Sequence, residues 1–267
     1  MDLNPTLLVF DSGLGGLTVF REVTKVRPDA NYIYVVDDAF FPYGRHSEAQ
    51  LVGRIVPLME ELFAAHAPHL VVIACNTAST LVLPHLRAHL DVSFVGTVPA
   101  IKPACAASQS RLVSVLGTEA TVQREYTRAL IRDFGQGCDV TLVGSAHLAE
   151  MAEAALRDAT IGDDAIAQEI APCFVSSDGR RTDTVVLACT HYPLLLDRFV
   201  RLAPWVVDWI DPAPAIARRV VDLIGPPRTA SHGAAHAIFT SGLVPPAALA
   251  AALARFGIAK AALPAAG

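Results

Sequence analysis

VVIACNT at residues 71–77 is echoed by VVLACTH at residues 185–191. Each is a continuous apolar run that ends in Ala-Cys and is followed by small polar residues and a helical pattern. Such runs are typical of strands in parallel sheets, which are buried on both faces. Ligands of open α/β sheets bind beyond the carboxyl ends of the strands. The repeat therefore predicts that Cys75 and Cys189 lie at two ligand-binding edges, and that they flank one small ligand if the sheets face each other.

Outward from these two stretches, short apolar runs alternate with helical patterns along the whole chain. The predicted strands are residues 6–10, 32–36, 70–74, 94–98, 112–116, 140–143, 184–188, 206–210 and 237–240. Helical spacing occurs at residues 16–26, 47–65, 80–90, 121–134, 146–156, 163–173, 213–223 and 246–256. Because βα units alternate and the strands are continuously apolar, we expect parallel sheets covered by helices on both faces.

The arrangement of these units predicts an α/β fold with two doubly wound parallel-sheet lobes. We expect the lobes to be related by pseudo-two-fold symmetry, with the active site in the cleft between them. The predicted lobe one comprises residues 1–98 plus 208–267, and lobe two comprises residues 99–207. The Ala-rich end, residues 259–267, lies beyond a helix cap predicted at Gly257 and is expected to fray.

Composition excludes several classes of protein. The 267 residues carry 21 Lys+Arg and 26 Asp+Glu, a formal net charge of −5, which argues against a general binder of nucleic acid or anionic membrane. With 52% hydrophobic and 18% charged residues, the chain is too apolar to be disordered. We expect no membrane-spanning helix and no signal peptide. Five cysteines, an odd number spread over a long chain, favour reduced thiols in a cytosolic protein over a disulfide framework.

Two thiols on opposite faces of a ligand suit inversion of a carbon stereocentre through its carbanion. One sulfur must be a thiolate base while the other stays a protonated acid. A thiol with a pKa of about 8.5 is only about 3% ionised at pH 7, and the N-terminus of a helix helps to ionise it. A redox disulfide is an alternative, but 114 residues separate Cys75 from Cys189 and the chain has no Cys-x-x-Cys. Cys105, Cys138 and Cys173 lack the repeated context and are interpreted as structural.

A glycine-rich turn, DSGLGG at residues 11–16, follows the first predicted strand and opens a helix. It predicts that Asp11 and Ser12 point into the cleft, where an acidic side chain suits an ammonium group better than a phosphate. FPYG at residues 41–44 is a second turn signal, and it can simply terminate a loop. His191 stands two residues after Cys189 and can hydrogen-bond to a ligand or exchange protons with it.

The other histidines invite a metal-binding interpretation that the sequence does not support. His85 with His89, and His232 with His236, have the i, i+4 spacing of metal ligands. Neither pair has the glutamate of His-Glu-x-x-His or a third ligand nearby. We therefore predict no metal site.

Taken together, the motifs resemble those of the glutamate racemases of the aspartate/glutamate racemase family, bacterial enzymes that need no cofactor. The resemblance runs along nearly the whole chain and rests on DSGLGGLTV (11–19), FPYG (41–44), ACNTAS (74–79), GTEATV (117–122), GSA (144–146), LACTHYPLL (187–195) and IDP (210–212). Related aspartate racemases typically have Thr-Glu after the second cysteine, so Thr190 and His191 favour glutamate.

The resemblance implies a role for individual residues. Cys75 matches the thiol that acts on D-glutamate and Cys189 the thiol that acts on L-glutamate, while Asp11, Glu153 and His191 match groups that assist proton transfer. The substrate-binding residues that it implies are Asp11, Ser12, Tyr43, Gly44, Asn76, Thr77, Thr118, Thr121, Thr190 and His191. It further implies a small-molecule substrate (glutamate), no cofactor, no metal, a cytoplasmic homodimer and a supply of D-glutamate for peptidoglycan.

Other functions remain open at this point. An aspartate or other amino-acid racemase of the same family is the nearest alternative. A nucleotide-dependent α/β enzyme would use the glycine-rich turn for phosphate, and a binding protein could share the lobes without catalysis. A pyridoxal-phosphate racemase would need a lysine for its Schiff base, and Lys25, Lys102 and Lys260 all lie away from the motifs.

Overall fold

Two parallel sheets covered by helices form the protein, as described for residues 4–135, 137–228 and 232–262 of a computed structural model. The strands are β1 Thr6–Asp11, β2 Asn31–Val36, β3 Leu70–Ile73, β4 Ser93–Gly96, β5 Leu112–Thr118, β6 Asp139–Ser145, β7 Ser176–Ser177, β8 Arg180–Arg181, β9 Thr184–Ala188, β10 Asp208–Ile210, β11 Ala235–Phe239 and β12 Lys260–Ala262. The helices are α1 Leu17–Val26, α2 Glu48–His66, α3 Asn76–His89, α4 Ile101–Ala107, α5 Glu119–Gln123, α6 Glu125–Phe134, α7 Leu148–Leu156, α8 Asp163–Ile170, α9 Leu196–Leu202, α10 Ala213–Ile224 and α11 Ala247–Arg255. Four 3-10 turns complete the elements, at Asp38–Phe40, Tyr43–Arg45, Ala171–Cys173 and Tyr192–Leu195.

The two sheets repeat one strand order. The first sheet runs β12-β11-β2-β1-β3-β4 and the second β10-β9-β5-β6, and every pairing in both is parallel. Within them, β2-β1-β3-β4 corresponds to β6-β5-β9-β10, and in each set the third strand along the chain, β3 or β9, leads into a cysteine. The predicted α/β fold with two parallel-sheet lobes is confirmed. A short antiparallel hairpin of β7 and β8 lies outside both sheets.

Each sheet has an apolar core on both faces, which is what a continuously apolar strand requires. Along β1, Leu7 and Val9 belong to one core, and Leu8 and Phe10 belong to the core on the opposite face. Helices α1, α10 and α11 contribute to the first core, and α2 and α3 to the second. The second sheet is covered in the same way, by α7, α8 and α9 on one face and by α4 on the other. Each fully buried aliphatic side chain contributes about 1.5–3 kcal/mol, so these four cores hold both sheets in place.

The structure differs from the sequence-based lobe boundary by one strand. β10 pairs with β9, with Asp208 opposite Thr184, so it belongs to the second sheet rather than to the returning segment predicted from residue 208. Trp209 packs against the core of that lobe, with its ring 5.5 Å from the ring of Phe199, and this burial favours the pairing. The chain returns to the first lobe with α10, which packs on α1.

The C-terminal end also differs from the prediction. Lys260–Ala262 form β12, an edge strand that pairs in parallel with β11, instead of fraying beyond Gly257. The rest of the segment expected to fray, residues 263–267, lies outside the described residues. Within the described ranges, none of the helices combines the length and the apolar character that crossing a membrane requires.

Candidate active site

The site lies where the carboxyl ends of the strands of the two sheets face each other. Cys75 follows β3 and Cys189 follows β9, and both side chains line a single cavity of about 20 Å³. Both cysteines are buried, at 5% and 6% exposure. The other predicted site residues that line this cavity are Ser12, Tyr43, Gly44, Asn76, Thr77, Thr118, Thr190 and His191. Asp11, Glu153 and Thr121 stand behind them, each in hydrogen-bonding contact with a lining residue.

Cys75 is held as a neutral thiol. It precedes the first residue of α3, and its Sγ lies 3.5 Å from Ser12 Oγ, to which the thiol donates. Burial, together with the smaller effect of the negative charge of Asp11, raises the pKa of Cys75 to about 12. The hydrogen bond with Ser12 and the backbone N–H of Ala78 oppose this shift without cancelling it. The thiol on this side of the cavity can therefore serve as an acid.

Cys189 lies beside an ionic chain instead. Its Sγ is 3.6 Å from His191 Nδ1, and His191 Nε2 is 3.0 Å from Glu153 Oε1. Although burial alone would lower the pKa of His191, its hydrogen bonds with Cys189 and Glu153 raise that pKa well above its usual range. Glu153 also accepts hydrogen bonds from Leu14 N–H and, at 3.0 Å, from Arg157. The positive charge of the imidazolium stands beside the Cys189 sulfur, so this side of the cavity suits a base.

Glu153 is ionised at neutral pH, as the partner of an imidazolium must be. Burial alone would raise the pKa of its carboxyl. The hydrogen bond and the charge of His191, the Leu14 N–H and the charge of Arg157 together lower that pKa below its usual value. The sequence alone could not place Glu153 in the cleft, and the structure puts it in direct contact with His191.

The glycine-rich turn packs directly on the Cys189 side of the cavity. A Cβ atom added to Gly15 would lie 2.5 Å from His191 Nδ1 and 2.6 Å from Thr190 Oγ1, and one added to Gly13 would lie 2.4 Å from Glu153 Oε1. Only glycine lets the backbone approach this closely. The turn and the start of α1 thus join the two lobes, because Leu14 N–H donates to Glu153 and Thr18 Oγ1 donates to the carbonyl of Thr190 at 3.1 Å.

Asp11 is the fully buried carboxylate at the start of this turn. Its Oδ2 accepts a 2.8 Å hydrogen bond from Gly16 N–H, and both of its oxygens lie 3.5 Å from Thr190 Oγ1. Burial raises the pKa of Asp11 to about 6, although the charge of His191 opposes the shift. Asp11 is therefore a weaker acid than an ordinary aspartate, so its carboxylate accepts a proton more readily.

Hydroxyl and amide groups of Asn76, Thr77 and Thr118 form a further part of the cavity wall, with Thr121 behind them. Thr77 Oγ1 lies 3.4 Å from Thr118 Oγ1 and 3.3 Å from Thr121 Oγ1, and the last two are 2.9 Å apart. Asn76 accepts from Thr97 through Oδ1, while its buried Nδ2 has no hydrogen-bond partner among the described residues. Because buried donors are nearly always paired, this amide and the three hydroxyls suit a carboxylate ligand.

Tyr43 lines the cavity, but its hydroxyl points elsewhere. It donates a 2.6 Å hydrogen bond to Asp37, a fully buried carboxylate that follows β2. Sequence reasoning missed Asp37 and also Arg157, which completes the ionic chain through Glu153. A signal for Asp37 existed, since it is an acidic residue immediately after a predicted strand, like Asp11.

The metal and disulfide interpretations find no support in the geometry. Within the part of the chain that the structure describes, no group of three or more His, Cys, Asp or Glu side chains is placed to hold a metal ion. All five cysteines are free thiols. Cys105 and Cys173 are buried in the second lobe, and Cys138 contacts the carbonyl of Cys105 at 3.6 Å.

Comparison with known proteins identifies relatives along most of the chain. The family model described as Asp/Glu/Hydantoin racemase matches residues 18–220. The glutamate racemase of Agrobacterium fabrum is 54% identical over 244 residues, which are 90% of this chain and 89% of that protein. The glutamate racemase of Brucella anthropi is 58% identical over 228 residues, which are 85% of this chain and 82% of that protein.

A solved structure is similar over the whole fold. The crystal structure of Escherichia coli glutamate racemase in complex with L-glutamate and the activator UDP-MurNAc-Ala superimposes with a TM-score of 0.89, is 39% identical and covers 98% of each chain. The matched family region includes both cysteines and the residues around them. The chain therefore belongs to the Asp/Glu/hydantoin racemase family, a family of isomerases.

Proposed function

We propose that this enzyme interconverts L- and D-glutamate by removing the α-proton from one face of the substrate and returning a proton to the other. The observation that carries the proposal is that Cys75 and Cys189, from corresponding strands of the two lobes, line one buried cavity. Inversion through a carbanion needs a base on one side of the carbon and an acid on the opposite side. Two thiols supplied by two facing lobes meet that requirement.

Each thiol transfers one proton in the proposed reaction. The Cys189 thiolate takes the α-proton of L-glutamate, and the electron pair of the C–H bond moves onto Cα and the α-carboxylate. The Cys75 thiol then donates its proton to the opposite face of Cα. The products are D-glutamate, a Cys75 thiolate and a Cys189 thiol, which is the state that starts the reverse reaction.

The surroundings of the two thiols support this assignment. His191, held by Glu153, stands beside Cys189 and stabilises a thiolate there. Burial and the charge of Asp11 keep Cys75 protonated until it has delivered its proton. Asp11 itself, with a pKa raised to about 6 by burial, can accept a proton on the Cys75 side when the reaction runs from D-glutamate. Each positioned acid or base contributes about 10²–10⁴-fold to a rate.

Stabilisation of the carbanion must supply much of the remaining acceleration. We propose that Asn76 Nδ2 and the hydroxyls of Thr77, Thr118 and Thr121 bind the α-carboxylate as it gains negative charge. Fixed donors in a site without bulk water act on developing charge far more strongly than water does. The three hydroxyls lie within 3.4 Å of one another, so they are already grouped around one position.

The proposal includes no cofactor. A pyridoxal-phosphate racemase would need a lysine beside the reacting carbon. Lys25 pairs with Glu22 at 2.7 Å on the surface, and Lys102 lies over the ring of Phe134. The side chain of Lys260 lies outside the described residues. We also propose, from the family resemblance, that the product supplies peptidoglycan synthesis and that the enzyme acts in the cytoplasm as a homodimer.

The decisive experiment is circular dichroism of the purified enzyme with L-glutamate and, separately, D-glutamate, without added cofactor. We expect each optical signal to decay to zero and, in D₂O, the product to carry deuterium at Cα. Parallel assays with L- and D-aspartate decide between the two substrates. Binding of glutamate without exchange of its α-proton would show a binding protein, and stabilisation by nucleotides alone would show a nucleotide-dependent enzyme.

Substitution of each thiol tests the two-base mechanism. We expect Cys75→Ser and Cys189→Ser each to lower racemisation by more than about 10²-fold, because a serine hydroxyl is a far weaker acid and base than a thiol. Cys138→Ser is the matched control, since Cys138 lies outside the cavity, where its thiol donates to the Cys105 carbonyl. A single variant of Cys75 or Cys189 that racemises glutamate at the wild-type rate would refute the mechanism.

A further inference from the structure

A second cavity, of about 110 Å³, adjoins the thiol cavity on its Thr118 side. The two cavities share the walls formed by Pro42, Gly44, Thr118 and Ala149. A cavity of about 20 Å³ holds roughly one water molecule, so its walls must move apart before an amino acid fits between the thiols. The shared walls make the second cavity the adjoining space through which substrate can pass, and we refer to it as the vestibule.

The outer wall of the vestibule is an ion pair that joins the lobes. The Arg45 guanidinium contacts the Glu150 carboxylate, and their side chains are 65% and 39% exposed. Arg45 directly follows Gly44 of the cavity wall, and Glu150 lies one turn before Glu153 on α7. Exposed pairs of this kind are weak and are screened by salt, so the contact can open during normal thermal motion.

The charges around the vestibule make Arg45 stand out. Glu119 and Glu150 both line it, and Arg45 is the single Arg or Lys among its lining residues in the described part of the chain. The protein carries a net charge of −5, and glutamate is itself an anion at neutral pH. Without a cation at this position, two carboxylates would repel the substrate from the route to the thiols.

We propose that the vestibule is the access route for substrate and that Arg45 binds a carboxylate of incoming glutamate in exchange for Glu150. The exchange opens the contact between the lobes at the same moment as it draws the substrate inward. When the substrate has moved on to the hydroxyls of Thr77, Thr118 and Thr121, Glu150 pairs with Arg45 again and closes the route. This inference rests on the proposed racemisation of glutamate.

A second ion pair provides a matched control. Arg124, between α5 and α6, contacts Glu48 at the start of α2 at 2.8 Å, so this pair also joins the lobes. Neither residue lines the vestibule, and the Arg124 side chain is only 8% exposed. Loss of the second pair therefore shows the contribution of an interlobe contact that has no role in substrate access.

The test measures kcat and KM for both enantiomers at several NaCl concentrations. We expect Arg45→Gln to lower kcat/KM about tenfold, mainly through KM, and to flatten its dependence on salt. Glu150→Gln should lower KM about threefold, because the competing carboxylate is gone, while keeping the salt dependence of the wild type. Glu48→Gln should leave kcat, KM and the salt dependence unchanged.

Two results would overturn the inference. The first is that Arg45→Gln and Glu48→Gln have equal effects, which would make Arg45 an ordinary interlobe contact. The second is that Arg45→Gln lowers kcat at unchanged KM. Thermal unfolding of each variant shows that the fold is kept. The wild-type enzyme in the same assay tests the proposed function separately. If the wild type racemises glutamate and Arg45→Gln has the same kinetics as the wild type, the proposed function stands and only the role of the vestibule is refuted.

Discussion

The hydroxyl of Tyr43 donates a 2.6 Å hydrogen bond to the buried carboxylate of Asp37, and so it is turned away from the cavity that Tyr43 lines. Asp37 also accepts hydrogen bonds of 2.6 Å from Arg54 on α2 and from Thr240 after β11. One carboxylate therefore ties the segment that carries Gly44 to two elements of the first lobe. We therefore expect Tyr43 to shape the site by being held in place, with its hydroxyl engaged by Asp37.

This relationship predicts how Tyr43 and Asp37 variants behave. We expect Tyr43→Phe to raise KM several-fold at nearly unchanged kcat and to lower the free energy of unfolding by about 1–3 kcal/mol, the contribution of a hydrogen bond to a charged group. Asp37→Asn should have a larger effect on both, because it also weakens the pairing with Arg54. Steady-state kinetics and urea unfolding measure the two quantities. A large loss of kcat in Tyr43→Phe with normal KM and stability would instead place the hydroxyl on the reaction path.

We predict that a side chain at position 15 lowers activity without unfolding the protein. A Cβ atom at this position would lie 2.5 Å from His191 Nδ1, the atom that faces the Cys189 sulfur. The imidazole must move by several tenths of an ångström or more, and misplacement by about 1 Å can lower a rate about 10²-fold. We expect Gly15→Ala to lower kcat by about that factor while circular dichroism of the backbone stays native.

Gly53 supplies the control for this glycine. It lies on the exposed side of α2, and a Cβ atom there would meet nothing within 4 Å. Gly53→Ala should leave kcat unchanged and raise the free energy of unfolding by roughly 0.5–1 kcal/mol, the helix propensity gained. Equal activity of the Gly15 and Gly53 variants would show that contact between the turn and His191 is unimportant for catalysis.

Sequence patterns predicted what is local in this fold. The apolar runs and the Ala-Cys repeat place both sheets and both thiols correctly, because strand burial leaves a signal within a few residues. Helical spacing predicts that α3 starts at residue 80, whereas the helix begins at Asn76 immediately after Cys75. Its first turn consists of small residues, of which Asn76 and Thr77 line the cavity, so the apolar period of a helix is missing there.

Contacts between distant segments left no comparable signal. Leu14 N–H and the Glu153 carboxylate are 139 residues apart in the chain, and their hydrogen bond depends on how the lobes face each other. β12 is a three-residue edge strand in an Ala-rich segment, where neither β-branched residues nor alternation mark it. Asp37 and Arg157 likewise act through partners that only the folded chain brings together.

The unequal surroundings of the two thiols predict unequal reactivity. Iodoacetamide reacts with thiolates, and both sulfurs line the same cavity, so access to them is shared. Near pH 7 we expect Cys189, beside the imidazolium of His191, to be alkylated first, because burial raises the pKa of Cys75 to about 12. Mass spectrometry of the digested protein at partial modification gives the ratio of the two adducts.

Removal of the imidazolium is the control for this reactivity. His191→Asn should reduce alkylation of Cys189 and leave that of Cys75 nearly unchanged. Since L- and D-glutamate have equal free energies, kcat/KM of this variant must fall equally in both directions, which checks the kinetic data. Preferential alkylation of Cys75 in the wild type would reverse the assignment of thiol and thiolate in the free enzyme.

The buried carboxyl of Asp11 predicts a specific dependence of stability on pH. Burial raises its pKa from 3.8 to about 6 in the folded protein. Below about pH 3.8 the group is protonated in both the folded and the unfolded state and has no effect on stability. Between about pH 4 and pH 6 the unfolded chain releases its proton first, so stability falls as pH rises, and above pH 6 a penalty of about 3 kcal/mol remains.

Asp11→Asn lacks this titration and keeps an oxygen that can accept from Gly16 N–H. We therefore expect the free energy of unfolding of the variant, relative to wild type, to increase by about 3 kcal/mol between pH 4 and pH 7, as measured by urea unfolding at intermediate pH values. A difference that stays constant over this range would mean that Asp11 keeps an ordinary carboxyl pKa in the folded enzyme, and its proposed part in proton exchange with Cys75 would lose its basis.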